Sequence, residues 1–206
     1  MPAAAVRSRD ERSSPVGGER ASARERLLRA ALERFQTDGA LAATLDDIRR
    51  QAGVSVGALY HHFPDKAGLA AALYDQLARD FQEGFVAELR AHADAEEGIR
   101  AGVRHYLRWV SANGVAAAFL LSERPADDAR LRERNRSFFA EVGAWWQTHV
   151  HYGALRDLQL DLINALWLGP AHEYTRHWLA GRGKHVPAAV ADVLADAAWQ
   201  TVKEQR

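Results

Sequence analysis

Apolar side chains recur every three or four positions along most of the chain, which is the period of an amphipathic helix. Leu28, Ala31, Leu32 and Phe35 show this spacing near the start of the sequence. Alternating runs of β-branched residues, which are typical of strands, are missing. The six prolines fall mostly in the first twenty residues or at the ends of predicted helices. The pattern predicts an all-α fold of about nine helices, without a sheet.

Two of the predicted helices are short and follow each other closely. Thr44 and Asp47 form a T-x-x-D capping signature that starts the first helix. Ser55 caps the second helix, which is about two turns long and breaks at Pro64. The turn between them, at 52–55, contains a glycine. Helices this short are not stable alone, so they must dock on the longer helices before and after them, as in a helix-turn-helix.

The second short helix carries side chains that suit DNA. Its first residues, from Ser55 to Ala58, are small and let the end of a helix enter the major groove. Tyr60 and His61 follow and can reach phosphates. Lys66 lies in the first turn of the next helix, where the dipole disfavours a cation unless an anion is bound. A core position for Tyr60 and a solvated charge for Lys66 are the alternatives.

The stretch TLDDIRRQAGVSVGALYHHFPDKAGLAAAL resembles the N-terminal helix-turn-helix of TetR-type transcriptional regulators, over about residues 23 to 74. The resemblance implies double-stranded DNA as a partner. Val56 departs from the family pattern, in which a polar or basic side chain is common; it can touch a thymine methyl but cannot donate a hydrogen bond. The resemblance implies three residues on phosphates (Thr44, Tyr60 and Lys66) and four along the groove (Ser55, Val56, Gly57 and His61).

The rest of the chain is rich in large aromatic residues, and all six tryptophans lie beyond residue 108. The resemblance implies that the C-terminal helices enclose a pocket for a small molecule. We expect a largely apolar cavity and an apolar or aromatic effector. The expected lining residues, each with a plain core position as the alternative, are Tyr106, Trp109, Phe119, Phe138, Trp146 and Trp167.

The last two predicted helices carry more apolar surface than one small bundle needs. The first runs from about 157 to 180 with a kink at Pro170, and the second from about 187 to 203. The resemblance implies a homodimer, in which two such helices from each subunit form a four-helix interface. Two-fold symmetry then suits a palindromic operator. The expected interface residues are Leu166, Trp178, Val190 and Leu194.

Composition excludes several other classes of protein. Lysine plus arginine and aspartate plus glutamate both number 27, and this net charge of zero rules out a protein that coats nucleic acid by bulk charge. Cysteine is absent, which removes disulfides, thiolate metal sites and cysteine nucleophiles. His172 and His177 are five residues apart, one more than a zinc-protease motif allows, and face different sides of a helix. We expect no catalytic residue, no metal and no cofactor.

Charges are spread through the first twenty residues, and no apolar stretch reaches the ~18 residues that a spanning helix needs. We expect a cytoplasmic protein without a membrane partner. The expected organisation is a disordered arm at 1–19, a helix-turn-helix DNA-binding domain at 20–66, and a helical ligand-binding and dimerisation domain at 67–206.

Two hypotheses follow for the function. The first is a homodimeric transcriptional regulator, most often a repressor, that a small ligand releases from a palindromic operator. The alternative is a helical small-molecule-binding or enzymatic bundle that keeps a vestigial helix-turn-helix. The neutral net charge and Val56 give this alternative slight support. We expect the first, and therefore no enzyme.

Overall fold

The computed structural model describes residues 21–122 and 129–205, so the predicted arm at 1–19 lies outside the described residues. In these ranges the all-α fold is confirmed, with one isolated backbone bridge between Leu155 and Lys203 and no strand. The helices are α1 (Ala23–Ala42), α2 (Leu45–Ala52), α3 (Val56–His62), α4 (Lys66–Ala91), α5 (Ala95–Ala112), α6 (Gly114–Ser122), α7 (Ala129–His151), α8 (Leu160–Trp167), α9 (Gly169–Leu179) and α10 (Ala191–Val202), with a 3₁₀ turn at Pro187–Val190.

Ten helices are described where about nine were expected, because the segment predicted as one kinked helix from 157 to 180 is two. Helix α8 ends at Trp167, and α9 begins at Gly169 with Pro170 in its first turn. Proline has no backbone N–H and its ring clashes with the preceding turn, so the helix breaks just before it. The predicted kink at Pro170 is therefore confirmed, as a break between two separate helices.

Local capping defines the N-terminal helices. The Thr44 hydroxyl accepts a hydrogen bond from the Asp47 amide at 3.2 Å, and the Ser55 hydroxyl accepts one from the Ala58 amide at 3.1 Å. Gly53 ends α2 with φ 63°, a left-handed conformation that glycine adopts without strain. The predicted helix starts at Thr44 and Ser55 and the turn between them are confirmed.

Two hydrophobic cores share helix α4. The N-terminal core joins α1, α2 and α3 to the first half of α4, which contributes Leu69 and Leu73. The C-terminal core joins the second half of α4, with Phe85 and Leu89, to α5 and α7–α10. The expected domain boundary after residue 66 therefore falls at the first turn of a helix that belongs to both cores.

Helix α6 packs on the N-terminal core, where its Phe119 is buried. Its ring stacks on Phe35, with centroids 5.7 Å apart and planes at 11°, and lies 6.4 Å from the ring of Tyr74. Phe119 is thus separated from the other aromatic residues that were expected to line a pocket. The reason is that α6 packs against α1, which buries the Phe119 side chain in the N-terminal core.

None of the helices in the described ranges is long and apolar enough to span a bilayer.

Candidate functional sites: the α3 face, the aromatic core and the C-terminal face

Helix α3 is anchored by one side and presents the other to solvent. Leu59 is buried in the N-terminal core, and Phe63, the residue directly after the helix, is buried in the same core. Val56 and Tyr60 are each 55% exposed and lie one turn apart on the outer side. Ser55, Gly57 and His61 are exposed as well. The structure therefore brings the four residues expected along a DNA groove, together with Tyr60, which was expected on a phosphate, onto one open surface. We call it the α3 face (Ser55, Val56, Gly57, Tyr60 and His61).

The starts of α2 and α4 lie beside each other at the edge of this surface. The Lys66 ammonium group donates a hydrogen bond to the carbonyl oxygen of Ala43 at 3.1 Å, and Ala43 directly precedes Thr44. Two helix N-termini, with their partial positive charge, thus meet at Thr44 and Lys66. Such a pair of helix ends with an adjacent lysine is suited to hold phosphate oxygens.

Acidic side chains near Thr44 are neutralised by arginines of the same helix. Asp46 pairs with Arg49 at 2.8 Å, and Asp47 pairs with Arg50 at 2.6 Å. The Thr44 hydroxyl also donates to Asp47 at 2.6 Å, and this hydrogen bond, with help from Arg50, holds the pKa of Asp47 below its usual value. The arginines paired with these two carboxylates reduce the repulsion that an approaching phosphate would meet.

Five of the six residues expected in a ligand pocket form one continuous aromatic cluster in the C-terminal core. Trp146 lies 5.8 Å from Trp167, and Phe85 lies 5.5 Å from Trp167 and 5.8 Å from Phe138. The ring of Phe81 connects two further rings to the same cluster. Its centroid lies 5.9 Å from that of Tyr106 and 5.4 Å from that of Trp109.

The two most buried tryptophans are fixed by hydrogen bonds to the backbone. The indole N–H of Trp146 donates to the carbonyl of Arg156 at 3.0 Å, and that of Trp167 donates to the carbonyl of Ile99 at 2.9 Å. Such satisfied, buried side chains are typical of core positions. Tyr106 and Trp109 have no such bond to the backbone among the described contacts, and Phe138 has no polar group, so these three residues remain the candidates for a ligand wall.

A small polar group interrupts the apolar core beside Tyr106. The hydroxyls of Tyr106 and Thr175 are buried, and neither has a partner in hydrogen-bonding geometry. Burial raises the pKa of Tyr106, and the nearby Thr175 hydroxyl opposes that rise. The ring of His172 lies 4.7 Å from that of Tyr106, nearly perpendicular to it.

The imidazoles of His172, beside this group, and of His105, which faces α4, are neutral in the folded chain at neutral pH. Burial lowers the pKa of His172, and the positive charge of Arg176 lowers it further. Burial also lowers the pKa of His105, whose Nε2 atom has no partner. A neutral hydrogen-bonding ligand group fits such a site better than a charged one. Sequence reasoning missed Thr175, because a single threonine on a helix carries no pattern that reveals burial.

A groove of about 580 Å³ between α4 and α7 reaches this cluster from outside. Val86 and Phe138 line it, with Arg79, Arg134 and Glu141 among its polar residues. Phe138 also contacts Phe85 of the core, with ring centroids 5.8 Å apart, so it lies between the groove and the aromatic cluster.

The C-terminal helices leave apolar side chains exposed in the single subunit. Leu162 is 48% and Val193 is 71% exposed, and Leu160 and Val186 are also exposed. Of the residues expected in an interface, Leu166, Val190 and Leu194 are half-buried. Trp178 is also half-buried, and it packs inside its own subunit, where a side chain at Gly114 would lie 3.3 Å from its ring. We call this surface the C-terminal face (Leu160, Leu162, Leu166, Val186, Val190, Val193 and Leu194).

The comparisons with known proteins agree on one family. A family model described as bacterial regulatory proteins of the tetR family matches residues 27–73. The HTH-type transcriptional regulator BetI of Stenotrophomonas maltophilia (strain R551-3) is 36% identical over 155 residues, which are 74% of this chain and 67% of that protein.

Solved structures share the fold. A TetR family transcription regulator from Marinobacter aquaeolei VT8 has a TM-score of 0.76 at 17% identity, over 89% of this chain and 96% of that one. The transcriptional regulator FadR from Bacillus subtilis, in complex with stearoyl-CoA, has a TM-score of 0.73 at 17% identity, over 85% of this chain and 97% of that one.

The match to the helix-turn-helix, the relative of similar sequence and the shared fold do not favour a bundle with a vestigial helix-turn-helix. The chain belongs to the TetR family of DNA-binding, helix-turn-helix transcriptional regulators.

Proposed function

We propose that the chain acts as a homodimeric repressor that binds a pseudo-palindromic operator and is released by a small apolar or aromatic molecule. The observation that carries this proposal is the α3 face, which is open to solvent and has two helix N-termini, at Thr44 and Lys66, along its edge. This arrangement offers a surface for base edges and an adjoining site for phosphates.

On DNA, helix α3 lies in the major groove with Ser55, Val56, Gly57 and His61 toward the base edges. Thr44, Tyr60 and Lys66 contact phosphates at the edge of that groove. Phosphate contacts fix the register of the helix, whereas contacts with base edges select the sequence.

Dimerisation buries the C-terminal face. Apolar side chains such as Leu162 and Val193 are exposed in the single subunit, and burying them against a second copy gains about 25 cal/mol for each Å² of apolar surface. A two-fold axis through this face relates two α3 helices, which then read two half-sites of opposite orientation.

The effector enters the C-terminal core between α4, α5, α7 and α9. The groove beside Phe138 gives access, and Tyr106 and Trp109 form the inner wall with Phe81. The hydroxyls of Tyr106 and Thr175 offer hydrogen bonds to a neutral polar group on the effector. FadR, a protein of the same fold, holds stearoyl-CoA, which supports a small-molecule effector in this fold.

Selection of bound duplexes from a random DNA pool tests the DNA-binding proposal. We expect a pseudo-palindrome with half-sites about one helical turn or slightly more apart. The logarithm of the affinity should fall linearly with the logarithm of the salt concentration, because phosphate contacts release counterions. Recovery of duplexes without a shared sequence, or without two-fold symmetry, would contradict the proposal.

The effector proposal is tested with a ligand identified by a thermal-shift screen. Binding should raise the melting temperature, since the ligand binds the folded state only, and should change tryptophan emission. Trp109→Phe should alter ligand affinity. Trp146→Phe serves as the comparison, because the indole N–H of Trp146 already donates a hydrogen bond to the backbone. Operator DNA must weaken ligand binding by the same factor by which the ligand weakens operator binding. A ligand that leaves operator affinity unchanged contradicts the regulatory mechanism.

A further inference from the structure

The α3 face contains apolar surface that the fold leaves open. Among the side chains described between residues 21 and 120, the exposed large hydrophobic ones are Val56 and Tyr60. Tyr60 carries a hydroxyl at its tip and can meet a phosphate, but Val56 is apolar throughout. A β-branched residue is also a weak helix former, so Val56 adds little to the stability of a seven-residue helix.

Gly57, the next residue, is not required by the fold. Its φ is not in the left-handed region, and a Cβ atom built on it would meet no atom of the chain within 4 Å. Glycine inside a helix costs up to about 1 kcal/mol relative to alanine. Gly57 is therefore a position on the exposed side of α3 where the chain itself leaves room for a larger residue, directly beside Val56.

We infer that Val56 reads the 5-methyl group of a thymine in each half-site, and that Gly57 provides the close approach of the helix that this contact needs. The inference rests on the proposed DNA-binding function. The major-groove edges of the four base pairs present donors, acceptors and one apolar group, which is the thymine methyl. A valine can neither donate nor accept a hydrogen bond, so this methyl group is the base feature that it can recognise.

The test deletes the methyl group alone. In the duplex chosen by selection, each thymine of a half-site is replaced in turn by deoxyuridine, which differs only by that methyl. We expect one thymine position at which the replacement weakens binding about fourfold in one half-site and about fifteenfold in both, as burial of one carbon group at about 0.8 kcal/mol predicts. At that position, Val56→Ala, whose side chain is shorter and has less apolar surface, should reduce the difference in affinity between the thymine and the deoxyuridine duplexes.

Tyr60→Phe is the matched control, because it alters the neighbouring exposed side chain. It should keep the full difference in affinity between the thymine and the deoxyuridine duplexes. Gly57→Ala should weaken binding of the selected duplex without lowering the melting temperature. If Val56→Ala keeps every difference between thymine and deoxyuridine, the readout by Val56 is wrong while sequence-specific binding stands. If Gly57→Ala binds as tightly as the wild type, the clearance is not needed. If no duplex is selected at all, both this inference and the proposed function fail.

Discussion

At the scale of the residue, Lys66 joins two helices that are distant in sequence. Its ammonium group bonds to the carbonyl before α2, while its backbone starts α4. The Asp65 carboxylate caps the start of α4, where its Oδ1 atom accepts a hydrogen bond from the Gly68 amide at 2.7 Å. A phosphate at Thr44 and Lys66 would lie at the positive ends of two helices and beside the ammonium group, so Lys66 is well placed to contribute to the DNA complex.

Removing the charge of Lys66 should therefore weaken DNA binding without changing which sequence is preferred. Lys66→Met should reduce affinity for all duplexes alike and make the salt slope of log affinity shallower by about one unit. Fluorescence anisotropy over a series of salt concentrations measures both. Tyr60→Phe, which removes a hydroxyl and no charge, should weaken binding but keep the slope. A changed base preference in Lys66→Met would show that this residue reads bases.

His172 should make stability depend on pH. Its pKa in the folded chain lies below the ordinary value of 6.5, because burial and Arg176 disfavour the charged imidazole. As the pH falls below 6.5, the unfolded chain takes up a proton that the folded chain does not, so the free energy of unfolding decreases until the folded-state pKa is reached. Urea unfolding across this range should give a shallower pH dependence for His172→Gln than for the wild type. An unchanged dependence would mean that His172 is protonated without cost in the folded state.

At the scale of the element, α5 is the helix on which the aromatic core is assembled. Glycines on α5 leave space for aromatic rings that press on its backbone. A Cβ atom at Gly102 would lie 2.7 Å from the ring of Trp167 and 3.1 Å from that of Phe85, and both rings are fully buried. A Cβ atom at Gly143 of α7 would meet nothing within 4 Å.

These two glycines should respond to alanine in opposite directions. Gly102→Ala should lower the free energy of unfolding by about 1–3 kcal/mol, because the buried rings have no room to move. Gly143→Ala should raise it by about 0.4–1 kcal/mol, because alanine restricts the unfolded chain and fits the helix. Chemical denaturation of both variants measures the difference. Equal effects would show that the rings at Gly102 can repack.

At the scale of the whole molecule, the described subunit is incomplete along its C-terminal face. The exposed side chains there belong to α8 (Leu160 and Leu162), to α10 (Val193) and to the residue before the 3₁₀ turn (Val186). Trp178 was expected in the interface, yet it packs against its own subunit, so a charge placed there would damage the fold as well as the dimer. The exposed residues of this face are therefore better probes of assembly.

Leu162→Asp and Val193→Asp should each give a folded monomer with much weaker operator binding. A carboxylate buried in an apolar interface costs several kcal/mol, whereas on the exposed surface of the monomer it costs little. Sedimentation velocity reports the assembly and circular dichroism the fold. Leu121→Asp introduces the same charge at an exposed position of α6 and should remain a dimer. A monomeric wild type would contradict both the dimer and the palindrome.

Local signals in the sequence sufficed for much of this architecture. Capping residues such as Thr44 and Ser55 act within one helical turn, so they located α2 and α3 correctly. Which core a side chain joins depends instead on how helices meet. Helix α6 is apolar along almost its whole length, so no side of it can be assigned from the sequence, and the packing of Phe119 on the N-terminal core was not foreseen. The exposure of Val193 likewise depends on which side of α10 meets α5.

The sharing of α4 by two cores has an optical consequence. All six tryptophans lie beyond residue 108 and pack in or against the C-terminal core, so tryptophan emission reports that core alone. Far-ultraviolet circular dichroism reports the helices of both. Because α4 supplies Leu69 to one core and Phe85 to the other, we expect the two signals to be lost at one temperature. Two separate midpoints would mean that the halves of α4 melt independently, and the tryptophan-free end would then unfold unseen by fluorescence.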